Sequence, residues 1–269
     1  MVSSDGYASL YRDFDSPLMR QLRLEAYGED IGQHSWVTAA ELRADIGRLA
    51  LRPSSRVLDL GCGPSGPLTF VVATVGCRGT GVELDQAALA VGRRRAAAMG
   101  IAAAVTSIAG DLNEPLPFPD GSFDAAMSLD VVLHLRDRSA FYREAARVLR
   151  PGARLLITDA GVVTGSLSSD EVRQRANHGH TELVPAGWNE PRLVAAGFRL
   201  LEVEDRTASV ATNAGGRLAA IRTHRAELAE RWGEEGVATQ ERYLETVVEL
   251  SRRGALSRIG YLAERSNRG

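Results

Sequence analysis

The chain contains no lysine; its 32 basic residues are all arginine. That absence excludes a Walker-A phosphate loop, a Schiff-base enzyme and a pyridoxal-phosphate enzyme, each of which needs the lysine amine. Cysteine is nearly absent, with only Cys62 and Cys77. Two thiols supply neither a disulfide framework nor a multi-cysteine zinc or iron–sulfur site. There is no excess of positive charge: 32 basic residues meet 34 acidic ones, for a net charge of −2. Nucleic-acid binders carry a basic excess or stripe, so DNA and RNA are not expected partners. No apolar run approaches the ~18 residues of a membrane span. The segment Met1-Val2-Ser3-Ser4-Asp5-Gly6 lacks the basic-then-apolar pattern of a secretory leader, and the expectation is a soluble cytoplasmic protein. What is present suffices for a core. Of 269 residues 44% are hydrophobic, enough for one large α/β domain or two small ones.

The chain shows no repeat, low-complexity tract or long linker. Residues 1–50 read as helical. Ser16-Pro17 is a helix start, with Ser as N-cap and Pro in the first turn, and Gly28 is its stop. Thr38-Ala39-Ala40-Glu41 has capping-box spacing ahead of a helix through Leu49, and Pro53 ends the pattern. From Arg56 to Ala160 short apolar runs alternate with helical stretches. Strands are predicted at 56–60, 79–83, 103–108, 123–128 and 154–158. Helices are predicted at 66–75, from Asp85 to near Gly100, and at 139–149, the last stopped by Arg150-Pro151-Gly152. Such alternation implies right-handed crossovers and a parallel sheet covered on both faces. Next come a helix near 191–196, a strand at 198–204, helical patterns at about 214–231 and 236–253, and a last strand at 256–263. A strand arriving after two helices can pair antiparallel at the sheet edge, with the helices over one end of the sheet as a lid.

Asp59-Leu60-Gly61-Cys62-Gly63-Pro64-Ser65-Gly66 follows the first strand and opens a helix. Gly61, Gly63 and Gly66 satisfy G-x-G-x-x-G, a loop in which backbone approaches a ligand that a Cβ would strike. Charge decides which ligand. A dinucleotide would set its pyrophosphate at this helix N-terminus. Asp59, two residues before the first glycine, would repel it by about 1–4 kcal/mol at ~4 Å. A ligand bearing an ammonium and a sulfonium, and no phosphate, is attracted instead; S-adenosylmethionine is such a ligand. Glu83 ends the second strand, where a carboxylate can accept both ribose hydroxyls, with Leu84 beside it. NAD sites share that feature, and the alternative for Glu83 is solvation beside Asp85. Asp111 follows the third strand in Ala109-Gly110-Asp111-Leu112, where it either accepts from an adenine amino group or caps a turn. Acids after three neighbouring strands make one ligand-sized cleft at the switch point of the sheet. Cys62 reads as a small loop residue and Cys77 as an apolar filler.

In order along the chain stand Val57-Leu58-Asp59-Leu60-Gly61-Cys62-Gly63, Gly81-Val82-Glu83, Gly110-Asp111, Leu116-Pro117-Phe118-Pro119-Asp120-Gly121-Ser122-Phe123-Asp124 and Val148-Leu149-Arg150-Pro151-Gly152. Over roughly residues 30–160 this series resembles the class I S-adenosylmethionine-dependent methyltransferases. The resemblance implies an α/β fold: a Rossmann-like, doubly wound, seven-stranded sheet with an antiparallel last strand, N-terminal helices and a helical lid inserted before that strand. It implies one domain, with a helical cap at 1–52, a cofactor-binding core at 53–160, and a substrate-side half at 161–269 carrying the lid at 213–254. Asp59, Gly61 and Gly63 would hold the methionine end of the cofactor, Glu83 the ribose, and Asp111 and Leu112 the adenine, with Ser128 as cleft wall. A narrower similarity, to phosphoethanolamine and sarcosine/dimethylglycine methyltransferases and related actinobacterial small-molecule enzymes, rests on three segments. They are Tyr27-Gly28-Glu29-Asp30, Ser128-Leu129-Asp130-Val131-Val132-Leu133-His134-Leu135 and Arg258-Ile259-Gly260-Tyr261-Leu262. In the phosphobase family a tyrosine after the fifth strand's Thr-Asp helps hold the substrate phosphate. Here that position is Ala160, a departure from the family. In the resembling enzymes the stretch Ile31-Gly32-Gln33-His34-Ser35-Trp36 covers the methionine end, which assigns Gln33 and Trp36 to the cofactor. The alternatives are a solvated turn for Gln33 and a hydrophobic staple for Trp36.

Methyl transfer is an in-line displacement from a sulfonium, so the protein mainly supplies alignment. A hydroxyl or ammonium acceptor must also lose a proton, which calls for a base titrating near pH 7, as histidine does. His134, six residues past Ser128, is the first candidate; its alternative is packing between Leu133 and Leu135. Asp130 can orient the imidazole or bind a cationic acceptor. Tyr11 can close over the substrate or serve as amphipathic packing. His178-Gly179-His180 supplies at most part of a metal site and reads as a surface loop. Arg173 and Arg175 either meet an anionic acceptor or line a solvated helix face, and Arg93-Arg94-Arg95 reads as solvent-facing. The expected function is methyl transfer from S-adenosylmethionine to oxygen or nitrogen of a small molecule, and the resemblance to actinobacterial small-molecule enzymes implies a place in specialised metabolism. The alternatives are an NAD-dependent oxidoreductase and a non-catalytic cofactor-binding module. Absence of a Tyr-x-x-x-Lys couple counts against the oxidoreductase.

Overall fold

The computed structural model describes residues 11, 13–176 and 179–266. Five parallel strands come first: β1 (Arg56–Leu60), β2 (Arg78–Glu83), β3 (Val105–Ala109), β4 (Phe123–Leu129) and β5 (Leu149–Val163). A two-residue β6 (Val184–Pro185) adds to the end of β5. β7 (Phe198–Asp205) and β8 (Leu256–Arg265) complete the sheet, β8 running antiparallel to both β5 and β7. The path β3-β2-β1-β4-β5-β8-β7 is the expected seven-stranded, doubly wound sheet. Strand order reverses beside β1, so a crevice opens at the carboxyl ends of β1 and β4.

Local signals set the helices. α1 (Pro17–Tyr27) starts where Ser16 Oγ accepts from Met19 N and stops at Gly28 in a left-handed conformation. α2 (Ala39–Arg48) is capped by Thr38 Oγ1, which accepts from Glu41 N at 3.1 Å. α3 (Gly66–Val75) and α4 (Gln86–Ala98) follow β1 and β2; Asp85 caps α4 by accepting from Ala87 N and Ala88 N. α5 (Arg138–Val148) crosses from β4 to β5. α6 (Ser169–Arg175), with a full capping box from Ser168 and Glu171, carries a signature the sequence reading passed over. α7 (Asn189–Ala195) precedes β7.

Alternate residues of the central strands serve two cores, as a strand's two-residue period requires. Leu58, Leu60 and Ala126 pack with Phe141, Tyr142 and Leu149 on one face. Val57, Ala125 and Met127 pack with Leu42, Leu68 and Val72 on the other. Between β7 and β8 run α8 (Thr207–Thr223) and α9 (Arg225–Arg252), the latter broken at Gly233, whose φ is +74°. These helices share a third apolar core with α1: Leu18 and Leu22 meet Val210, Ala214, Ile221, Leu228 and Leu244. The predicted helices at 214–231 and 236–253 are therefore corrected. The first begins at Thr207, the chain turns at His224, and the gap foreseen at 232–235 is the Gly233 break.

Candidate active site

The carboxyl ends of β1, β2 and β3 and the loops after them enclose a cleft of about 510 Å³. Asp59, Gly61, Gly63, Glu83, Leu84, Asp111 and Leu112 all line it, so the structure brings together most of the residues expected to meet the cofactor. Asp59 is 2% exposed and makes no hydrogen bond or ion pair among the described residues. Burial, with Glu83 nearby, pushes its carboxyl up to about 8. Such a group calls for a cation or a hydrogen-bond donor brought by a ligand. Glu83 is held in place: Oε2 accepts from Gly63 N and Oε1 from Asp85 N, both at 2.9 Å. Burial still raises its pKa despite these bonds. Asp111 caps its turn, Oδ1 accepting from Asn113 N at 2.9 Å, while the residue also lines the cleft. Leu84 is 55% exposed on the cleft wall, an apolar surface suited to a flat ring.

The glycine loop has two steric demands. Gly61 sits at φ +82°, and a Cβ there would meet the Val131 side chain at 2.6 Å. A Cβ on Gly66 would stand 2.0 Å from the Gly32 carbonyl oxygen, so the third glycine serves the close packing of α3 against the 29–33 turn. Tyr11 is buried against Phe14 and His34, with ring centroids 5.8 and 5.6 Å away, and lines the cleft beside Gly63.

A second cavity of about 150 Å³ lies under the helical cap, lined by α1, α8, α9 and the turns before α2. His34, Ser35, Asp130 and His134 line both cavities and mark where they meet. His134 stands in a one-turn 3₁₀ helix, Val132–His134, after β4. Its Nδ1 lies 2.9 Å from the His180 carbonyl oxygen. A carbonyl only accepts, so the neutral ring carries its proton on Nδ1 and its lone pair on Nε2. Burial holds the imidazole below its ordinary pKa.

Other placements correct the sequence reading. Ser128 does not line the cleft; it is buried, its hydroxyl donates to the Leu60 carbonyl at 2.9 Å, and Leu129 forms the wall instead. Gln33 is neither solvated nor on the cleft: Oε1 accepts from Ile31 N and Nε2 donates to Glu29 O, and the residue lines the second cavity. Trp36 lines that same cavity within the cap core, not the cleft at the glycine loop. Asp130, at φ +61°, makes no hydrogen bond to His134 among the described residues. It accepts from Trp36 N (2.9 Å), Thr158 Oγ1 (2.8 Å) and Arg258 Nε (2.8 Å). Arg175 is not on a solvated face; it is 5% exposed. Arg95 is half-buried, pairing with Asp15 at 3.6 Å, whereas Arg93 and Arg94 are exposed. His178 lies outside the described residues, and these contain no cluster of three or more side chains fit for a metal ion. No helix among them is long and apolar enough to cross a membrane.

Sequence reasoning missed the hub that binds these pieces together. Arg258 of β8 is fully buried and pairs with Asp130 and with Glu41 of α2, the latter at 2.6 Å. Arg206 joins it through Glu41 (2.8 Å) and Asp45 (2.7 Å). Nothing local in the sequence signals these contacts, since Arg258 and Asp130 are 128 residues apart.

Comparison with known proteins adds an independent line. Residues 58–157 match the family model described as a methyltransferase domain. Methyltransferase GfsG of Streptomyces halstedii is 34% identical over 201 residues, covering 72% of this chain and 69% of that protein. The glycine/sarcosine/dimethylglycine N-methyltransferase of Actinopolyspora halophila is 29% identical over 230 residues, 85% of this chain but only 40% of its own length. Among solved structures, phosphoethanolamine N-methyltransferase 2 of Haemonchus contortus superposes with a TM-score of 0.79 at 21% identity. The match covers 96% of this chain and 59% of that one, a likeness of fold.

Proposed function

The chain belongs to the S-adenosylmethionine-dependent methyltransferases, and from that premise we propose that it methylates an oxygen or nitrogen of a small-molecule acceptor. The observation that carries the reading is Asp59: a buried carboxyl group with no hydrogen-bond donor among the described residues, at the mouth of a glycine loop, in a cleft that continues past His134 into a second cavity. The residues fit S-adenosylmethionine, which when bound supplies a methyl group activated on a sulfonium. Asp59 and the backbone at Gly61 and Gly63 hold the methionine end. Glu83 takes the ribose hydroxyls. Asp111 and Leu112 meet the adenine, with Leu84 against its face. Tyr11 closes the loop side of the cleft.

His134 stands where the two cavities join and receives the acceptor's proton at Nε2 as the new bond to carbon forms. Its lowered pKa keeps it neutral, hence basic, at neutral pH. Gln33 and Trp36 shape the acceptor cavity on this reading. Both cysteines are buried free thiols, in keeping with a reducing cytoplasm. Nothing favours the oxidoreductase alternative, because Asp59 and Asp111 line the cleft in which a pyrophosphate would have to lie.

Thermal unfolding tests the proposal. S-adenosylhomocysteine at a hundredfold excess over its Kd stabilises by about 2.7 kcal/mol and raises Tm, while NAD leaves it unchanged. A rise with NAD and none with S-adenosylhomocysteine overturns the reading.

A further inference from the structure

The second cavity has a charge imbalance. Three arginines line it: Arg23, Arg175 and Arg217. Arg23 is neutralised, its Nε lying 2.7 Å from Asp30 Oδ1. The cavity's carboxylate, Asp130, is already matched by Arg258 at 2.8 Å. That leaves Arg175 and Arg217 without a carboxylate partner among the described residues.

Arg175 is the more telling of the two. It is 5% exposed, and its partners are uncharged: Nη1 donates to Tyr243 Oη at 3.1 Å and Nη2 to the Ala160 carbonyl at 3.2 Å. Its Nε is buried and meets no acceptor among the described residues. Arg217 donates to the His34 carbonyl at 2.6 Å, and its guanidinium lies 4.7 Å from the Trp36 ring centroid. A buried guanidinium with only neutral contacts is incompletely compensated, because removing it from water costs more than two neutral hydrogen bonds return. An anion completes it. The remaining wall is largely apolar and aromatic, with Phe14, Leu22, Trp36 and Trp232.

We propose that the acceptor is an anion with an apolar body, its carboxylate or phosphate-ester oxygens meeting Arg175, with Arg217 adding to the positive field. The volume of about 150 Å³ suits a compact molecule or one end of a larger one. This rests on the methyl-transfer reading and names the chemistry of its second substrate.

Neither arginine lines the cofactor cleft, so donor and acceptor binding can be read apart. The protein is saturated with S-adenosylhomocysteine, and benzoate, phenyl phosphate and benzamide are titrated by calorimetry. The better-bound anion should exceed neutral benzamide by about tenfold or more, the scale of a charge-assisted bond. The ratio of benzoate to phenyl phosphate tells a carboxylate site from a phosphate site. Arg175→Met should abolish the preference, and Arg175→Lys should keep part of it, both with unchanged affinity for S-adenosylhomocysteine. Should Arg175→Met fail to fold, Arg217→Met must itself weaken the preference.

Equal binding of charged and neutral probes overturns the proposal. So does the absence of binding by either anion at millimolar concentration, or a preference that survives the substitutions. A wild-type protein that does not bind S-adenosylhomocysteine strikes the methyl-transfer reading instead; one that binds it without preferring anions strikes this proposal alone.

Discussion

The two cavities that meet at His134 are made differently and carry opposite charge. The cofactor cleft draws on Asp59, Glu83 and Asp111, one acid at the carboxyl end of each of three adjacent parallel strands, so the sheet itself fixes their spacing. The cap cavity draws on residues between 14 and 36, on Asp130 and His134 after β4, on Arg175 and Thr181, and on residues between 217 and 244, which only the tertiary fold gathers. The first presents a buried carboxyl group whose ionised form needs a cation beside it, the second a guanidinium with no carboxylate partner among the described residues. A donor shared by a whole family can be held by positions the sheet supplies cheaply. On the proposed function, the acceptor is held by the part of the chain least tied to that sheet.

The sharpest way to break this comparison is to cut the hub joining the halves. Arg258→Met leaves Asp130 without its guanidinium, while Glu41 keeps only Arg206. It should cost about 3–5 kcal/mol, read as a lower urea midpoint at unchanged m-value. A loss below about 1 kcal/mol would put that pair on a par with exposed ones. Next in size is His134→Ala. At saturating cofactor it should slow methyl transfer by about 100-fold or more while sparing affinity for S-adenosylhomocysteine. Because burial lowers the His134 pKa, the wild-type rate should fall on the acid side only below the ordinary imidazole value of 6.5.

A third test sharpens the contrast in charge. Asp59 titrates near 8 when folded and at its ordinary 3.8 when unfolded. Between those values the folded, empty protein keeps a proton that the unfolded chain has released. Stability from this group is therefore lost as pH rises across that window. Bound S-adenosylhomocysteine, through its ammonium, should flatten the slope by holding the carboxylate charged. Asp59→Asn should flatten it without ligand, and urea unfolding across the pH series reads both effects.

Much of the donor half was legible in the sequence because its signals are local. Ser16, Thr38 and Asp85 cap their helices through bonds two or three residues away, and β1 and α3 have the bounds their apolar pattern predicts. β5 was read too short. Arg150-Pro151-Gly152 looks like a terminator, yet the β4–β5 register slips between Phe123–Leu149 and Ala125–Arg154, and that irregularity absorbs the turn residues within the strand. The acceptor half resisted because its contacts are distant. Asp130 reaches Trp36 across 94 residues and Arg258 across 128. Gln33 turned inward to brace its own loop, a choice no spacing rule encodes.

β7 and β8 are hydrogen-bonded neighbours, and everything from Arg206 to Ala255 leaves the sheet and returns between them. Topologically that stretch is an enlarged hairpin loop, a cassette whose exchange keeps the strand pairing intact. Selectivity can then drift by trading cassettes while the grip on the methyl donor stays inherited. Asn213, whose amide donates to the Trp36 carbonyl at 2.7 Å, and Arg206, locked to Asp45, are the clasps any transplanted segment must keep.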